Sequence, residues 1–90
     1  MNVTLSLSDL LKNATGQREP VQLSAGTPLE CLQEMADQFP ILNKWLFDEP
    51  GNLKAHVWLL INDERIYEDE FANLLSDGDR LFIMIAVLGG

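Results

Sequence analysis

Apolar and polar residues alternate from Asn2 to Leu7, with Val3, Leu5 and Leu7 on one side and Thr4 and Ser6 on the other, the period of a strand that buries one face. Residues 8–19 are mostly polar and include Gly16, and the next apolar positions are Val21 and Leu23. The pattern predicts a hairpin with a long loop and a short second strand, and Pro20 suits a sheet edge. Thr27-Pro28-Leu29-Glu30 then joins a potential N-cap to proline at the first helical position and glutamate at the third, which together satisfy orphan amides at a helix start. Behind it Leu29, Leu32, Met35, Ala36 and Phe39 recur at helical spacing, with Glu30, Gln33, Glu34, Asp37 and Gln38 on the other side, until Pro40 forbids a regular continuation. One amphipathic helix covering one sheet face is expected.

Past Pro40, Ile41, Leu42, Trp45 and Leu46 fit another short turn of helix under the sheet, and Asp48-Glu49-Pro50-Gly51-Asn52 is a turn cluster. Residues 54–61 read as a strand apolar on both faces, with Val57, Leu59 and Ile61 against His56, Trp58 and Leu60. Asn62-Asp63 turns the chain into a short strand near Arg65 to Tyr67. Glu68-Asp69-Glu70 with Phe71, Leu74 and Leu75 reads as a loop or helical turn, and Ser76-Asp77-Gly78-Asp79 as a turn. Residues 80–88, rich in isoleucine, valine and leucine, make a long strand that belongs in the centre of the sheet. The order strand, strand, helix, strand, short strand, strand describes an α+β domain in which a mixed sheet of four to five strands packs on one main helix. That is the β-grasp pattern. It takes up residues 1–88 and leaves 89–90 as a flexible diglycine tail.

Composition narrows the function classes. Ninety residues make one domain, and 47% hydrophobic with 22% charged residues is ordinary globular usage. A single cysteine, Cys31, leaves no disulfide framework, no cysteine-rich zinc module and no plant-type iron–sulfur ligand set. A reducing, cytoplasmic setting is expected. Six basic against 14 acidic residues give a formal charge of −8, which repels phosphate, so no nucleic-acid partner is expected. The chain lacks an apolar run of the roughly 20 residues needed to span a bilayer and begins without a basic, apolar leader, so no membrane association is expected.

Conventional catalytic arrangements fail in turn. His56 is the only histidine and has no companions for a metal site or a triad, which leaves it a surface or partner-facing residue. Cys31 lies in the first helical turns between Glu30 and Glu34, whose charge disfavours a thiolate, so it reads as a structural thiol. Asp63, Glu64, Glu68, Asp69, Glu70, Asp77 and Asp79 gather half the carboxylates in one stretch but lack the EF-hand spacing, so they read as a solvated or docking face and no metal is assigned. Gly89-Gly90 remains. At ordinary glycine usage a terminal pair arises by chance in roughly one chain in 200, and it costs backbone entropy unless something uses it. Without Cβ atoms such a tail threads a narrow channel, reaches about 7 Å beyond Leu88, and presents the α-carboxylate of Gly90 as the reacting group.

The element order, the Leu75-Ser76-Asp77-Gly78-Asp79 turn before the last strand, Asn62 after the third, and terminal Gly89-Gly90 resemble the ubiquitin-like sulfur carriers of the ThiS/MoaD family over nearly the whole chain. Its length is more similar to the MoaD-like or CysO-like members than to the shorter ThiS. Many relatives carry proline near the end of the last strand, where this chain has Ile83-Met84-Ile85-Ala86. The resemblance implies a carrier, not an enzyme. In that scheme an E1-like adenylating enzyme of the ThiF/MoeB type uses ATP and Mg²⁺ to activate the Gly90 carboxylate. A sulfur donor converts it to a thiocarboxylate, and an acceptor synthase subunit receives the sulfur in molybdopterin, thiamine or cysteine biosynthesis. Gly90 would be the adenylation and thiocarboxylate site, Leu88 and Gly89 the threading segment, and no cofactor would be stably bound.

Docking is expected on the sheet face away from the helix. If Leu81, Ile83, Ile85 and Val87 face the core, Phe82, Met84 and Ala86 point outward beside Trp58 and Leu60. The opposite phase, or residues 43–52 folding over this face, would close it. Two other functions fit the same residues. One is a protein modifier conjugated through Gly90 to lysine; the other is a non-catalytic acidic interaction domain using Asp77 and Asp79, for which the tail is dispensable.

Overall fold

In the computed structural model, which describes residues 2–49 and 52–86, the opening alternation forms strand β1 (Val3–Leu7) with Val3, Leu5 and Leu7 buried. It pairs antiparallel with β2 (Val21–Leu23), Leu5 opposite Val21. The expected long loop between them instead holds a helix, α1 (Asp9–Thr15). Only Leu11 of that helix is buried, so the segment shows no apolar period; one leucine in the core and Gly16 at the C-cap, with φ 79°, are enough to hold it.

Helix α2 (Pro28–Gln38) starts where the capping signal predicts. The Glu30 amide donates to Thr27 Oγ1 at 3.2 Å, and the Thr27 hydroxyl donates to Glu30 Oε1 at 3.1 Å. Its Cys31, Leu32, Met35 and Ala36 are buried on the sheet. Helix α3 (Ile41–Leu46) follows Pro40 and adds Leu42 and Leu46 to the same core. The Asp48–Asn52 cluster is more than a turn: β3 (Phe47–Glu49) and β4 (Asn52–Leu53) flank it as a small separate antiparallel pair. Pro50 and Gly51 lie outside the described residues.

Strand β5 (Val57–Ile61) begins three residues later than the sequence pattern implies, because residues 55–56 form a turn that leaves His56 exposed ahead of the strand. Asn62 and Asp63, both with positive φ (49° and 73°), connect it to β6 (Glu64–Ile66). The acidic stretch is a 3₁₀ turn over Glu68–Glu70. Strand β7 (Arg80–Ile85) is central, parallel to β1 and antiparallel to β5, in a five-stranded sheet ordered β2-β1-β7-β5-β6. The expected continuation of that strand through Leu88, and the 89–90 tail, lie outside the described residues. The three helices pack on one sheet face, over a core of Leu5, Leu11, Leu32, Met35, Leu42, Leu46, Leu59, Leu81 and Ile83. No helix among the described residues is long and apolar enough to cross a membrane.

Candidate functional site

Strand register decides which side chains share the free face. Trp58 lies opposite Met84, and Leu60 opposite Phe82, while Val57, Leu59, Leu81 and Ile83 point into the core. The phase is therefore the expected one. Trp58, Leu60, Phe82 and Met84 are each half-buried on the outer side, and Ala86, just past β7, is half-buried with its amide donating to the His56 carbonyl at 2.7 Å. Among the described residues of the 43–52 segment, Leu46 lies in the core on the helical side, where α3 packs on α1 and α2.

One member of the face is not among those expected from the sequence. Arg65 of β6 stands opposite Leu60, and its guanidinium carbon lies 3.9 Å from the Trp58 ring centroid and 4.6 Å from that of Tyr67. The signal for it lies in the register of a two-residue hairpin, which places Arg65 beside the outward side chains of β5.

At one end of the sheet, a hydrogen-bonded turn sets the course of β7. Asn62 Nδ2 donates to Asp79 Oδ1 at 3.0 Å, the Arg80 amide donates to Asn62 Oδ1 at 3.0 Å, and the Ser76 amide donates to Asp79 Oδ2 at 2.8 Å. The Asn2 amide donates to Asp77 Oδ1 at 2.8 Å, tying the first strand to the same turn. Both carboxylates singled out for an acidic docking surface are thus engaged within the turn.

Elsewhere, Cys31 is fully buried and its thiol is pushed up to about 11 by burial, reinforced by the charges of Glu34 and Glu30. An apolar cleft of about 220 Å³ lies on the helical side, lined by Leu29, Leu32, Phe47, Leu53, Phe71 and Ala72; Glu68 is its one titratable residue. Leu88 and Gly89, the expected threading segment, Gly90, the expected reacting terminus, and Val87, expected to face the core, lie outside the described residues; Ile85 and Ala86, which lead to them, adjoin the Trp58–Met84 pair.

No family model matches the chain. It is 31% identical over 93 residues to the sulfur carrier protein CysO of Mycobacterium tuberculosis, with all of both chains covered. Among solved structures, the small archaeal modifier protein 1 of Methanosarcina acetivorans superposes with a TM-score of 0.85 at 26% identity, covering 99% of this chain and 96% of that one. A chain of the Amycolatopsis orientalis BexX/CysO complex superposes with a TM-score of 0.80 at 28% identity, covering 98% and 99%.

Proposed function

Because the chain belongs to the ubiquitin-like sulfur carrier family, we propose that it is a co-substrate whose reacting group is the α-carboxylate of Gly90. The observation that carries this reading is the similarity to CysO over all of both chains. The protein is a small carrier rather than a catalyst. An ionised carboxylate, with a reference pKa near 3.5, is a poor electrophile at neutral pH. A partner of the E1-like ThiF/MoeB type therefore joins it to AMP from ATP and Mg²⁺, releasing pyrophosphate. A sulfur nucleophile then displaces AMP and leaves Gly90 as a thiocarboxylate. The acceptor is a synthase subunit in molybdopterin, thiamine or cysteine biosynthesis.

Trp58, Leu60, Phe82, Met84 and Ala86 form the docking face in this scheme. Aromatic and methionine side chains are enriched at interface cores, and this face adjoins the end of the strand that leads to the tail. Leu88 and Gly89 thread into the partner's channel, where side chains larger than glycine do not fit at the last two positions.

The test is an intact-mass measurement of the chain with a free terminus, co-expressed with an adenylating enzyme and supplied with ATP and a sulfur donor. Replacement of one oxygen by sulfur in the C-terminal peptide is expected, lost without ATP and lost when a residue is added after Gly90. No replacement, with an enzyme shown to be active on its own carrier, overturns the reading for that pair.

A second reading has its own support in the similarity to an archaeal modifier protein. In it a lysine amine attacks the activated Gly90 and forms an isopeptide. High-mass conjugates that disappear on deletion of Gly90 would favour it.

A further inference from the structure

Charge is distributed unevenly over the two sides of the sheet. The acidic residues Glu30, Glu34 and Asp37 sit on α2, and Glu68, Asp69 and Glu70 on the 3₁₀ turn. Among the described residues of the five-stranded sheet that point away from the helices, two are arginines, Arg65 and Arg80, and none is a carboxylate. A chain with a formal charge of −8 thus turns outward an apolar sheet face whose strands carry arginine and no carboxylate.

The two arginines are in different states. Arg80 has a counter-charge, Asp63 at 3.7 Å, in a solvent-exposed pair. Arg65 has no ion-pair partner among the described residues, and its Nε is buried without a hydrogen bond. Its guanidinium lies instead against Trp58 and Tyr67. Contact with two ring faces offsets part of the lost hydration, but a half-buried cation with an unused donor still gains most from an anion. The rings also hold the planar group in place, so little rotamer freedom remains to be lost when a carboxylate pairs with it.

We propose that Arg65 is the charge-selecting anchor of the docking face, and that the partner places an aspartate or glutamate carboxylate on it, framed by apolar side chains that cover Leu60, Phe82 and Met84. The inference rests on the docking reading above and adds the chemistry of the partner surface. It also supplies orientation: an acidic partner patch is attracted to this face and repelled by the α2 and 3₁₀ sides, so misaligned encounters are disfavoured.

The test is calorimetric titration of the full chain into an adenylating enzyme of the ThiF/MoeB type, at low and high salt, with Arg65→Glu, Arg65→Met and Arg65→Lys beside the parent. Amide spectra of each variant check the fold. Arg65→Glu is expected to weaken binding by roughly tenfold or more at low salt, Arg65→Met by less, and Arg65→Lys least, with the gaps narrowing at high salt. A purely structural loss would not follow salt in this way. If Arg65→Glu binds within about twofold of the parent, or its deficit ignores salt, while the parent still acquires a thiocarboxylate, the inference fails and the carrier reading stands. If the enzyme neither binds nor charges the parent chain, both fail.

Discussion

Asn62 does two things at one position. It takes a φ of 49°, a region costly to most side chains, and its amide group bonds to Asp79 and Arg80, 17 and 18 residues away. Alanine loses the hydrogen bonds and keeps the backbone strain, and is expected to destabilise the protein by about 1–2 kcal/mol in urea denaturation. Asn62→Gly relieves the strain only, so its loss should be the smaller. Cys31 supports a prediction of the opposite kind. Its thiol titrates at about 11 in the fold against an ordinary 9.0, so the fold holds the proton more tightly than the unfolded chain does. Stability is therefore intact below pH 9 and falls as the pH climbs toward 11, as a pH series of denaturation midpoints should record. Cys31→Ala should flatten that fall. The protonated state of Cys31 is readable from its acidic neighbours in sequence; the partners of Asn62 are not, because they depend on which strands meet.

At the level of single elements, legibility follows the strength of the local signal. Helix α2 combines an N-cap, a proline at the first turn and a five-residue apolar stripe, three independent cues that agree. Helix α1 is seven residues with one buried side chain, too short to show a period and too short to persist without tertiary contacts. Its stop is specific even so. Gly16 takes φ 79°, its amide donates to the Lys12 carbonyl, and a Cβ there would meet nothing within 4 Å. Gly16→Ala should therefore cost about 1 kcal/mol from backbone conformation alone, readable as a lower denaturation midpoint with an unchanged m-value. The start of β5 departs from the sequence pattern for a related reason: Lys54, Ala55 and His56 continue an alternation that pairing with β7 does not take up.

Over the whole molecule, most of the negative charge goes uncompensated. Glu30 and Glu34 lie one turn apart on α2, and they add to the burial that raises the Cys31 titration. A formal charge of −8 on 90 residues makes self-repulsion part of the folding balance. Sodium chloride should therefore stabilise the fold by about 1 kcal/mol between low and moderate ionic strength, a rise of roughly 4–8 °C in Tm for a domain of this size. Glu34→Gln should raise the low-salt Tm and shrink the salt response. Added salt has the opposite expected effect on the partner complex, since the attraction there runs through Arg65 on the sheet side.

Local pattern was sufficient for the strands of the five-stranded sheet, the main helix, and the division of Leu59, Leu81 and Ile83 from Trp58, Leu60, Phe82 and Met84, because a period of two or of 3.6 is written in consecutive residues, while which set faces the core was decided by the packing. It was also sufficient for the family, through the turn before the last strand and the closing glycines. Three-dimensional pairing was needed for the remainder. The stacking of Arg65 on Trp58 and Tyr67 depends on the register of the β5–β6 hairpin, while the engagement of Asp77 by Asn2 and of Asp79 by Asn62, and the helix around Leu11, depend on contacts between distant parts of the chain. Such contacts are set by register and by the closure of β1 on β7, and a linear pattern carries neither.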